Sequence, residues 1–167
     1  MRPEVLERIR AIKRATHVAR AGTWRASEAI DRVVLDADER HRRRVALTAE
    51  GGLKFLLDLA EATALRDGDG LVLADGAIVA VVGRPEPLAE ITAPDAATLV
   101  RIAWHLGNRH TELQVVGDRL RIRRDRVLED MLRGLGASIT AIEAPFEPQR
   151  GAYDHRHDGP DGGNLDV

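Results

Sequence analysis

Two histidines five positions apart, His105 and His110, flank a Gly107-Asn108 pair in the stretch Trp104-His105-Leu106-Gly107-Asn108-Arg109-His110-Thr111-Glu112-Leu113-Gln114. Histidine is a common metal ligand, but two of them without further support do not make a site. On an unbroken helix a five-residue step is a rotation of about 140°, so the two rings would point apart. A Gly-Asn pair is a common way for a helix to stop in a left-handed turn. The expectation is therefore His105 in the last helical turn and His110 on the loop beyond it. The plainer reading of His105 is a cap on the last carbonyls or a packed side chain. For His110 it is an exposed loop residue.

Further ligand candidates lie near the end of the chain. His155 and His157 alternate in Asp154-His155-Arg156-His157-Asp158, a pair that can close over an ion, with Asp154 and Asp158 as possible oxygen donors. Glu112, two residues after His110, either joins a site or faces water. The chain has no cysteine, so disulfides, thiolate zinc sites and cysteine nucleophiles are excluded together. His41 lies in the basic run Arg40 to Arg44, read as a solvated strand end or a contact for an acidic partner, and His17 sits in an expected strand without a partner. Asp67-Gly68-Asp69-Gly70 lacks the third oxygen ligand and closing glutamate of a calcium loop and reads as a turn. There is no His-Glu-x-x-His motif and no phosphate-cradling glycine loop followed by lysine.

The elements that must hold these residues change period halfway along. The 167 residues are 44% apolar but only 3% aromatic, so the core is built mainly of Leu, Val, Ile and Ala. Residues 1–14 are charged and loosely periodic, a short helix or a disordered lead-in. Strands are expected at Thr16 to Arg20 and Asp31 to Leu35. Two hairpins follow, one turning at Glu50-Gly51-Gly52 before Leu53 to Leu57, the other joining Leu71-Val72-Leu73 to Ala77 to Val82. Residues 1–84 thus read as a mostly-β domain, and Gly83-Arg84-Pro85-Glu86-Pro87 as an interdomain linker. Residues 85–150 then give a strand at Leu88 to Ile91 and a helix capped by Thr92. That helix buries Leu99, Ile102, Ala103 and Leu106. Strands at Leu113 to Val116 and Leu120 to Arg123, an Asp125-capped helix and a strand at Ile139 to Ala144 complete an α+β, ferredoxin-like βαββαβ order. Residues 151–167 lack apolar periodicity and read as a flexible tail.

The block His105-Leu106-Gly107-Asn108-Arg109-His110 resembles the signature of the UreE family, the nickel-carrying accessory proteins of urease maturation. Weaker similarity extends from about Arg14 to Tyr153. The resemblance implies an N-terminal β domain followed by a ferredoxin-like metal-binding domain. It implies that His110 binds nickel at a homodimer interface, one copy from each chain. It implies delivery to apo-urease and contact with the GTPase UreG. Relatives often carry tail histidines, which brings His155 and His157 forward as partners of His110, with His105 as a ligand or a support. Some relatives have a His-x-His pair near Arg124 and Arg126; arginines cannot ligate, so an accessory surface site of that kind is expected to be missing. Ni(II) accepts nitrogen and oxygen ligands, with Zn(II) and Cu(II) as competitors.

A formal net charge of −2 gives no global field of the kind nucleic-acid binders use. The longest apolar run, Ala77 to Val82, is far too short to cross a bilayer, and Met1-Arg2-Pro3-Glu4 opens no signal-peptide segment. The expectation is a cytoplasmic, non-catalytic carrier without nucleic-acid or membrane partners. The second reading is a metal-free protein- or nucleic-acid-binding module using Arg40 to Arg44 and Arg119 to Arg126. An enzyme with a metal-bound water is the third, with too few ligands in one chain to support it.

Overall fold

The structure is a computed structural model that describes residues 12–150. The expected lead-in up to residue 11 and the expected tail, with Asp154, His155, His157 and Asp158, lie outside the described residues.

The first half forms one six-stranded sheet from β1 (Lys13–Ala19), β2 (Ala29–Leu35), β3 (His41–Thr48), β4 (Lys54–Ala64), β5 (Gly70–Leu73) and β6 (Ile78–Gly83). Its order is β2-β6-β5-β1-β4-β3. Both expected hairpins form as antiparallel pairs, β3 with β4 and β5 with β6. Their turns need left-handed backbone, and Gly52 (φ 93°) and Gly76 (φ 85°) supply it. Two pairs are parallel and non-local, β1 with β4 and β2 with β6. Alternation along β4 and β6 turns Phe55, Leu57, Val79 and Val81 inward onto Ala15, Val33 and Leu71. This mainly aliphatic cluster is the first core.

The second half is β7 (Pro85–Thr92), α1 (Ala96–Asn108), β8 (Gln114–Val116), β9 (Arg119–Arg123), α2 (Arg126–Gly134) and β10 (Ser138–Pro145). The sheet order is β10-β7-β9-β8, every neighbouring pair antiparallel, which is the ferredoxin-like arrangement. Ile102 and Leu106 of α1 and Leu132 of α2 pack with Ala89, Ile91, Leu120 and Ile122. Both helices therefore cover one face of the sheet.

Several local expectations are corrected. The segment Gly83 to Pro87 is not a free linker. β6 runs to Gly83, β7 starts at Pro85, and only Arg84 lies between them. Pro85 and Pro87 pair with β10, while β9 joins β7 only from Leu88 onward. They occupy the part of β7 flanked on one side, where a missing N–H is tolerated. Thr92 is not the cap of α1, because it ends β7 opposite Ser138. Asp95 caps instead, its side chain accepting from the Thr98 N–H at 2.7 Å. Lys13 and Arg14 belong to β1 rather than to the lead-in, and β4 continues past Leu57 to Ala64.

A third, small cluster of Ala37, Leu88 and Phe146, with Ile142 and Ala144 against it, joins the two sheets. Among the described residues no helix is long and apolar enough to cross a membrane.

Candidate metal centre

α1 is the rigid element of the site. Its inner face is anchored by fully buried Ile102 and Leu106, while Val100 and Trp104 on its outer side are 69% and 63% exposed. Asp95 holds its N-terminus. The Thr98 N–H bond to the carboxylate, followed by the Thr98 hydroxyl bond, keeps the Asp95 pKa below its ordinary value. His105 lies in the last turn, as expected, half-buried and edge-on to the Trp104 ring at 4.9 Å and 80°.

The helix end is built differently from the Gly-Asn stop expected of it. Gly107 and Asn108 remain helical, and the left-handed residue is His110 itself, at φ 55°. The His110 N–H donates to the Gly107 carbonyl at 3.0 Å, and the Thr111 N–H reaches back to the Leu106 carbonyl at 3.1 Å. This is a Schellman closure with a histidine where glycine is usual. It fixes the backbone that carries an exposed imidazole.

Glu112 does not turn toward His110; its carboxylate is bound by the Arg123 guanidinium. Arg123 also donates to Asp38 at 3.0 Å and Glu86 at 3.1 Å and stands 5.1 Å over the Phe146 ring. Among the described residues no group of three or more His, Asp or Glu side chains could hold a metal ion. His105 and His110 are thus close in the chain, yet the described residues do not complete a coordination sphere with them. His17 sits against the Thr16 hydroxyl at 2.9 Å in β1, and His41 against Arg150 at 2.9 Å, both remote in sequence from the α1 terminus.

The basic stretches divide on inspection. Arg40 is not part of an exposed run: it is 2% exposed and donates to the carbonyls of Leu65 and Phe146. Arg42, Arg43 and Arg44 are exposed on β3. Arg121 and Arg119 both bind Glu90, whose pKa they hold down, Arg121 most strongly. Arg124, near the position of the histidines some relatives carry, forks onto buried Glu129 at 2.6 and 3.0 Å. Asp69 is a buried turn residue, accepting from the Ala21 and Arg66 N–H groups and from Arg20, so the rejected calcium loop is a structural turn.

Sequence reasoning missed one feature beside the site. After β10 the chain runs back toward the α1 terminus, and the Gln149 N–H donates to the Leu113 carbonyl at 2.7 Å. A non-local backbone bond of this kind has no signature in residue type.

Comparison with known proteins covers both halves. Residues 5–83 match the UreE urease accessory protein, N-terminal domain, and residues 86–164 match its C-terminal domain. The chain is 56% identical over 146 residues to the urease accessory protein UreE of Rhodopseudomonas palustris strain HaA2, covering 87% of this chain and 67% of that protein. Against UreE of Bradyrhizobium sp. strain BTAi1 the identity is 58% over 140 residues, 84% of this chain and 68% of the relative. UreE of Chelativorans sp. strain BNC1 is 48% identical over 147 residues, 87% of this chain and 90% of the relative. With both domain types matched in order and the helix-end motif in place, the chain belongs to the UreE urease accessory protein family.

Proposed function

We propose that this chain holds Ni(II) between the His110 imidazoles of two protomers, with His155 or His157 closing on the ion and His105 supporting or joining the set. As a UreE-family member it is a nickel-binding accessory chaperone of urease maturation and not an enzyme. The observation that carries the reading is His110 itself: an exposed imidazole on a fixed turn, in a chain whose described residues supply no full ligand set. A two-fold axis doubles a lone ligand without new sequence. Exposed Val100 and Trp104 on the same helix give a second copy an apolar surface to cover. Two imidazoles completed by water or tail side chains leave the ion exchangeable, as cargo must be. Zn(II) and Cu(II) compete for such a site.

In this reading residues 1–84 form the β domain, 85–150 the metal-binding domain, and 151–167 a tail that supplies ligands. The setting is cytoplasmic, and the recipients are apo-urease and the UreG GTPase. A metal-free basic module is the weaker reading. Arg119, Arg121, Arg123 and Arg124 are committed to Glu90, Glu86, Glu112, Asp38 and Glu129 rather than left for phosphates.

Titration of Ni(II) into wild type and His110→Ala, with mass measured in solution, tests the proposal. The expected result is about one tight ion per dimer, lost in the variant while the dimer persists. Unchanged tight binding in the variant moves the site away from His110.

A further inference from the structure

Three carboxylates meet on the Arg123 guanidinium, one at each nitrogen. Nε donates to Glu86 at 3.1 Å, Nη2 to Asp38 at 3.0 Å, and Nη1 to Glu112. The three partners are not held alike. Glu86 lies on β7 with its side chain only 15% exposed, and it also accepts the Ala37 N–H at 3.0 Å. The buried Phe146 ring lies under the guanidinium at 5.1 Å. These contacts fix Arg123 whether or not Glu112 is bound to it. Glu112 stands in the loop between α1 and β8 with its side chain 49% exposed, and Arg123 is its one side-chain partner among the described residues. Of the three, Glu112 is the partner the cluster gives up most easily.

The loop is pinned on both sides of Glu112. The Thr111 N–H reaches the Leu106 carbonyl at 3.1 Å, and Leu113 packs against the second core while its carbonyl accepts the Gln149 N–H at 2.7 Å. Glu112 can therefore change partners by rotating its side chain, with the loop unmoved. Its Cα is two residues from that of His110, at most about 7 Å away. A carboxylate at that range can donate oxygen to an ion held on the imidazole, and Ni(II) accepts oxygen beside nitrogen. We infer that Glu112 is a carboxylate ligand withheld from the His110 site, and that Arg123 is the positioning residue that withholds it. The inference rests on the reading that His110 holds the ion. Glu112 joins that ion only by breaking its charge-assisted hydrogen bond to Arg123, so the ion is held less firmly and given up more readily. Arg123 itself does not touch the ion.

The test measures Ni(II) affinity by chelator competition, and the d–d absorption bands of the bound ion, on four full-length proteins. They are wild type, Arg123→Gln, Glu112→Gln and the double variant. Arg123→Gln frees Glu112, and affinity is expected to rise by up to about fivefold for each Glu112 that joins. The gain cannot exceed the strength of the half-exposed ion pair that is removed. The absorption bands shift with the added oxygen donor. In the Glu112→Gln background the same Arg123→Gln change is expected to give neither the rise nor the shift. An equal rise in both backgrounds overturns the inference, since it marks the loss of a nearby positive charge rather than the arrival of a ligand. Unchanged or weaker binding in folded Arg123→Gln also overturns it and leaves the His110 site standing. Tight binding retained in His110→Ala removes that site and the inference with it. Should Arg123→Gln fail to fold by circular dichroism, Arg123→Lys keeps the charge without the three-way fork and carries the same comparison with a smaller rise.

Discussion

His110 is the only non-glycine residue with positive φ among the described residues. Left-handed backbone costs a side-chain-bearing residue about 1–2 kcal/mol relative to glycine. Histidine here stands at a position where glycine would cost the backbone less. His110→Gly is therefore expected to be more stable than His110→Ala by about 1 kcal/mol, although both lose nickel. Thermal melts of the two variants decide it; equal stabilities would mean that the turn carries no strain. The pair of histidines was legible in the sequence as residues that could bind metal, and the six-residue motif named the family. The left-handed position is not where residue preference puts it, at Gly-Asn, because α1 keeps both residues helical until the Leu106 carbonyl finds Thr111. Glu112 was equally opaque: its partner Arg123 lies on β9, and side-chain pairing across a sheet follows register rather than spacing.

The elements that hold the site depend on buried carboxylates. Glu129 on α2 is 3% exposed and bound by Arg124, with Arg133 one turn further along. Arg124's bond to it, opposed by burial, sets the Glu129 pKa below its ordinary 4.5. A depressed carboxylate pKa contributes stability that is present above the unfolded value and is lost as pH falls through the folded one. Glu129→Gln should lower stability by about 1–3 kcal/mol at neutral pH, the worth of a hydrogen bond to a charged group. The gap between wild type and variant should close below pH 4.5 as wild-type Glu129 takes up its proton. Denaturant melts across pH check this, and a gap that stays constant into acid would remove the charge argument. At this scale the sequence was informative where rules are local. Gly52 and Gly76 marked the hairpins, Asp125 marked the start of α2, and the apolar spacing of α1 marked its buried face. It misled at Pro85 and Pro87, where chain punctuation became strand because β9 stops short of them, and at Thr92, which the β7–β10 ladder claimed from the helix.

For the whole molecule, the order of the second sheet followed from the βαββαβ sequence of elements, since that succession has one common solution. The order of the first sheet did not. The parallel pairing of β1 with β4 and of β2 with β6 joins segments far apart in the chain, and no turn between them records it. Assembly is tested on α1. Trp104→Asp puts a charge on the exposed apolar side of the helix, where it costs the monomer little because Trp104 is 63% exposed. Sedimentation should find the variant folded and monomeric, with nickel affinity reduced at least about tenfold because one of the two His110 imidazoles is then missing from the set. A dimeric, fully binding Trp104→Asp protein would place the two-fold contact elsewhere.

β3 is the outermost strand of its sheet and exposes Arg42, Arg43 and Arg44 along that rim. Neighbouring strands in a sheet sit only about 4.8 Å apart, so another molecule docking rim to rim would press like guanidinium charges together. That repulsion disfavours edge-to-edge pairing at this rim. Added salt or neutralised arginines are expected to weaken that repulsion and raise rim-to-rim association, which light scattering would report.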